Sequence, residues 1–213
     1  MQFPNALEGV KKIYKAEIIG LIGAIVGVVA ALLFLIGVGA ENAGAAVIGG
    51  VLMIAVAVLA IIAFIINIIG LNKAKLDDQN FKTALYITIV GIVASILLGF
   101  SKEGSFLSSF GDNLSDICKF LVTWFVCTGI ITLADKLGDA EMNERGVKTR
   151  KYLLVTWVFK IALTIIGNIF ESSQSTGVAV VAFILVLIAA VIEVVVYVLY
   201  LKLLSKATVM LQK

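Results

Sequence analysis

The sequence contains no histidine. That removes the commonest general base and the commonest transition-metal ligand together. Its one proline, Pro4, precedes every apolar run, so no run carries the proline break found in many carriers with discontinuous helices. Charged residues are 15% of the chain, against roughly 25% in a soluble domain, too few to cover an ordinary solvated surface. The two cysteines, Cys118 and Cys127, lie nine residues apart. On one helix that is about 13.5 Å, too far for a disulfide, and both read as small apolar residues. There is no phosphate-cradling glycine loop, no G-x-S-x-G elbow and no aspartate pair within an apolar run. The expectation is a protein without metal or cofactor that is not an enzyme.

What is present is apolar and segregated. Hydrophobic residues are 61% of the chain and the mean hydropathy is +1.11, where soluble domains run at roughly 45–50% apolar. Six runs are long enough to cross a bilayer, at about 17–38, 46–71, 83–100, 117–134, 152–170 and 177–201. The first reads as a retained span, because sixteen fairly polar residues precede it and no small-residue cleavage site closes it. Fourteen lysines and arginines fall on one side of these runs, and only Lys102 and Lys119 on the other. Basic residues stay cytoplasmic, so both termini are expected inside and the span count even. The fold class read from the sequence is all-α: one transmembrane domain over 1–213, a polytopic six-span bundle of three helical hairpins. The net charge of +3 belongs to this orientation signal. With Asp77, Asp78, Asp139, Glu141 and Glu144 interleaved, it points to contact with the lipid bilayer and to no nucleic-acid partner.

The hairpins, at about 9–75, 80–140 and 146–207, share local text. Lys82-Thr83-Ala84-Leu85-Tyr86 opens the third span and Lys148-Thr149-Arg150-Lys151-Tyr152 opens the fifth, both as K-T-x-x-Y. Either the hairpin was duplicated, or this is the common grammar of basic residues and belt tyrosines at span ends. Three two-span units resemble mitochondrial carriers in outline. That family's odd-helix signature of proline, acid and base is absent, since Pro4 lies before any span, and the resemblance is rejected. Residues 39–45 and 171–176 read as turns. Ser101 to Asp116 reads as the longest outer loop, with a short amphipathic piece at the interface. In the loop 135–150, Glu141–Arg145 and Glu144–Lys148 stand at i, i+4 and support helical extensions.

Small and polar residues mark packed faces in lipid. Gly20, Gly23 and Gly27 line the first run, the last two as a G-x-x-x-G step for packing or dimerisation; Gly91 and Ser95 do the same on the third. Lys160 and Glu193 sit deep in the fifth and sixth runs. Each lies eight residues, about 12 Å, from the inner boundary, so adjacent antiparallel spans would bring them to one depth. Thr156, Lys160, Thr164 and Asn168 recur every fourth residue. With Tyr197 and Asn67 they form the expected lining. The Lys160–Glu193 pair reads either as a structural clamp or as a coupling site. Lys119 and Glu17 are expected to snorkel to the boundaries, and Trp124 and Trp157 to pack in the bundle or against lipid.

Two functions follow. One is a small transport-related, proton- or ion-coupled bundle. The other is an accessory or structural membrane protein that docks a membrane protein or a second copy of itself. The expected location is a multi-pass position in a prokaryotic-type inner membrane.

Overall fold

A computed structural model describes residues 2–40, 42–99, 106–171 and 176–212, except the side chains of 97–99, 106–113, 165–171, 176–183 and 186. It consists of six helices: α1 (Pro4–Gly39), α2 (Ala43–Ala74), α3 (Gln79–Gly99), α4 (Phe106–Lys136), α5 (Ala140–Glu171) and α6 (Thr176–Met210). No strand occurs among the described residues. Five helices, all but α5, are long and apolar enough to cross a membrane over their described residues. The described part of α5 carries Glu141, Glu144, Arg145, Lys148, Arg150, Lys151 and Lys160, which dilute its apolar character.

Each helix packs on its neighbours in sequence, and α6 returns to α1, closing a ring. The buried core draws on the first turns of α1, α3 and α5 and the last turns of α2, α4 and α6. Ala6, Val10, Ile13, Leu71, Phe81, Ile130, Leu133 and Leu204 are fully enclosed there. The helices therefore alternate in direction, and the tight packing gathers at the end that carries both termini. Away from that end, large apolar side chains face outward, among them Ile25, Leu35, Ile54, Ile61, Val90 and Val191. A soluble domain does not leave so wide an apolar surface uncovered. Lipid would solvate it without cost.

Helix ends at the packed end are fixed by side chains. Pro4 stands in the first turn of α1, where no backbone donor is needed. Asp77, from the turn after α2, accepts from the Ala6 amide at 2.6 Å and from Asn5 at 3.0 Å. Asp78 caps α3 through the Asn80 amide at 2.9 Å and takes the Lys136 ammonium at 3.4 Å. Asp139 caps α5 through the Met142 amide at 2.9 Å. Before it, α4 closes with Gly138 at φ +68°, a left-handed position that suits glycine, and the Asp139 amide reaches back to Ala134. The turns Lys75-Leu76-Asp77-Asp78 and Lys136-Leu137-Gly138-Asp139 thus share a K-L-x-D text, with the aspartate as helix cap.

One expectation is corrected here. The segment read as an outer loop over 101–116 is helical from Phe106, so α4 begins eleven residues before the span expected at 117. Polar residues within 106–116 hid the helix because an apolar criterion finds the lipid-facing part alone. The charges at i, i+4 in α5 do pair, Arg145–Glu141 at 2.6 Å and Lys148–Glu144 at 2.7 Å. They carry helical structure back to Ala140.

Candidate functional site

A cavity of about 750 Å³ lies inside the ring and is lined from all six helices. It exists because the helices meet tightly at one end and carry polar, aromatic or small residues on their inner faces beyond it. Glu17 comes from α1, Phe64 and Asn67 from α2, and Thr88, Gly91 and Ser95 from α3. From α4 come Asp116, Lys119, Phe120 and Thr123; from α5, Thr156, Trp157 and Lys160; from α6, Glu193, Tyr197 and Tyr200.

Lys160 is the centre of the charged wall. Its Nζ lies 3.1 Å from an Asp116 carboxylate oxygen and 3.8 Å from Glu193 Oε1. Asp116 also meets Lys119 at 3.7 Å, one turn along α4. The four side chains form a chain of alternating sign, Glu193, Lys160, Asp116, Lys119. Lys160 is 51% exposed and Glu193 63%, so the wall faces open space within the ring. At that exposure the closer contact dominates, and Asp116 is the nearer partner of Lys160.

The lining at the α1–α6 seam is quieter. The Tyr197 hydroxyl lies 2.8 Å from a Glu17 carboxylate oxygen and 2.9 Å from the Glu17 carbonyl oxygen. This ties α6 to α1 at the ring's closing seam. Asn67 Oδ1 is buried with no hydrogen-bond partner among the described residues. Phe120 stacks on Trp157 at 4.7 Å between centroids, and Arg150 sits over Trp124 at 5.0 Å. The two tryptophans therefore belong to the α4–α5 seam, and Trp157 also fronts the cavity.

The residues expected from the sequence are distributed as follows. Lys160, Glu193, Thr156, Tyr197, Asn67, Gly91 and Ser95 all line the cavity. The Thr156 hydroxyl donates to the Tyr152 carbonyl at 2.9 Å. Thr164 is exposed and donates to the Lys160 carbonyl at 3.0 Å; it is not part of the lining. The Asn168 side chain lies outside the described residues. Gly23 and Gly27 face Leu59 and Val56 of α2. Gly20 faces open space with nothing within 4 Å of an added Cβ. Closer α1–α2 approaches lie elsewhere: Gly37 abuts the Ala46 backbone, and a Cβ on Gly9 would stand 2.5 Å from the Gly70 carbonyl oxygen.

Three charged cavity residues were not expected there. Asp116 was assigned to a loop, and the missed signal is its i, i+3 spacing to Lys119. Glu17 and Lys119 were expected to snorkel; Glu17 is instead held by Tyr197, and Lys119 meets Asp116. Glu17 is the only ionisable residue between Ala16 and Ala40, a signal of the same kind as Lys160. Among the described residues no group of three or more histidine, cysteine, aspartate or glutamate side chains could hold a metal ion. No known protein family, curated protein or solved structure matches the chain.

Proposed function

We propose that this is a multi-pass integral membrane protein that binds and passes a small charged solute through the space between its helices, coupled to protons or ions. In this reading all six helices span, as three hairpins, with both termini on the cytoplasmic side of a prokaryotic-type inner membrane. The fourteen basic residues on one side support that orientation. For α5, Lys160 turns to the cavity and not to lipid, so its charge does not count against crossing.

The observation that carries the proposal is the cavity. It takes lining from every helix and holds five ionisable side chains, Glu17, Asp116, Lys119, Lys160 and Glu193, in an otherwise apolar bundle. Ionisable groups at membrane depth face a bundle interior or a water-filled path and mark solute or proton routes. A purely structural clamp needs one pair, not a connected set of four charges spread over three helices.

The test is dissipation of a pH gradient in proteoliposomes, comparing wild type, Glu193→Gln, Asp116→Asn and empty vesicles. Loss of the gradient in the wild type that falls away in the two variants is the expected result. A wild type equal to empty vesicles would overturn transport. The second reading, an accessory protein that docks a partner, would then lead. It draws on the exposed, internally paired charges of the first α5 turns, and co-purification from native membranes would test it.

A further inference from the structure

The cavity contains an imbalance that points to the class of its solute. Asp116 meets two ammonium groups, Lys160 and Lys119, and Glu193 meets Lys160. Glu17 meets no lysine or arginine within 4 Å among the described residues; its carboxylate has only the Tyr197 hydroxyl at 2.8 Å. A hydroxyl supplies a proton to share but no charge. The lining thus holds three carboxylates against two ammonium groups, and the unmatched carboxylate is Glu17. A second acceptor on the same lining, the buried Asn67 Oδ1, stands without a partner among the described residues. Both unfilled positions ask for positive charge or a donor.

We propose that the cavity binds a lipophilic organic cation, with its positive charge at the Glu17 carboxylate and its apolar body against Phe64, Phe120 and Trp157. This rests on the reading of the cavity as a solute site and names the solute's class. A volume of about 750 Å³ lies within the roughly 300–1,000 Å³ of small-molecule pockets, which are mostly apolar with a few placed polar groups. Aromatic side chains add attraction for a cation and none for an anion of the same shape. A small inorganic cation would leave the aromatic lining unused. An organic anion would meet the excess carboxylate.

The experiment is equilibrium dialysis of the full-length protein in detergent, corrected for empty micelles. Its probes are tetraphenylphosphonium and tetraphenylborate, matched in size and opposite in charge. Saturable binding of tetraphenylphosphonium is expected, with tetraphenylborate weaker by about tenfold or more. Glu17→Gln should weaken the cation by about tenfold or more, since a desolvated charge partner is lost. Thr164→Ala, outside the lining, should keep the binding, which separates loss of the Glu17 charge from a general effect of substitution in the bundle. Equal binding of both probes, or unchanged cation binding in a folded Glu17→Gln protein, would overturn the inference. If Glu17→Gln fails to fold, Glu17→Asp decides: retained cation binding supports it, and lost binding with unchanged melting overturns it. Gradient dissipation without tetraphenylphosphonium binding would sink the cation class and leave transport standing. Binding without dissipation would do the reverse.

Discussion

At the scale of single residues, Asp116 serves two ammonium groups, and Lys160 is the cation of the wall that serves two carboxylates. Removing Lys160 leaves Glu193 without a cation, while Asp116 keeps Lys119. Lys160→Ala should therefore lower stability in detergent by about 1–3 kcal/mol, less than the 3–5 of a fully buried pair because the cavity is open to water. Adding Glu193→Ala should restore part of that loss; a double variant that melts at or below the single one would show that the residues do not act as a pair. Outside the apolar runs, the Lys12 ammonium hydrogen-bonds Glu8, with Lys73 second, and holds its carboxyl below the ordinary 4.5. The stabilisation from that shift is present above 4.5 and is lost as pH falls through the lowered value. Lys148 is the mirror case, raised above 10.5 by its hydrogen bond to Glu144, so its contribution is present below 10.5 and is lost as pH rises through the raised value. NMR titration should find Glu8 below 4.5 and back at it in the Lys12→Ala, Lys73→Ala double variant. A midpoint unmoved by removing both lysines would contradict the assignment. Lys160 and Glu193 were legible in the sequence because each is a lone charge deep in an apolar run. Glu17 is equally isolated, but its place at the inner end of the first run made it look like a boundary residue.

At the scale of elements, the α1–α2 pair shows why small residues alone do not locate a contact. The G-x-x-x-G step at Gly23 and Gly27 is visible in the text and does face α2, at ordinary van der Waals distance. Tighter points are Gly37 against Ala46 and Gly9 against Gly70, with Gly9 in a stretch that looks polar and therefore extramembranous. Gly9→Ala should cost about 2 kcal/mol by forcing backbone apart, whereas Gly20→Ala, in open space, should stay within about 0.5 kcal/mol. Thermal unfolding of the two variants checks this, and equal effects would contradict the packing. Helix existence was legible from hydropathy for all six segments. The true extents were not, because a helix continues past the lipid-facing run wherever caps and i, i+4 pairs support it. α1 has 36 residues, about 54 Å, against a hydrocarbon core of about 30 Å. The surplus on α1 and at the start of α4 comes from polar text that an apolar criterion discards. Asp116 was lost to the site for that reason.

At the scale of the whole molecule, the helices form a ring, closed firmly where the termini lie and lined by charge and aromatics beyond. The alternation of helix direction places both termini at the packed end, and the orientation proposed from the basic residues puts that end in the cytoplasm. Single cysteines at Gln2 and Gln212, in a Cys118→Ala, Cys127→Ala background, should be shielded from an impermeant maleimide in intact cells and labelled in inverted vesicles. Opposite labelling of the two would break the even span count. The ring itself was not legible in the sequence, since nothing local records that α6 returns to α1. The proposed solute path runs through the space inside this ring, and blocking that space tests it most directly. In the same background, a cysteine at Ser95 faces the cavity, while one at Ile54 stands on the outer surface, 69% exposed. After reaction with a bulky maleimide, the pH-gradient dissipation should be lost with the Ser95 adduct and kept with the Ile54 adduct. Full dissipation through a completely modified Ser95→Cys protein, or equal loss with both adducts, would contradict a path between the helices.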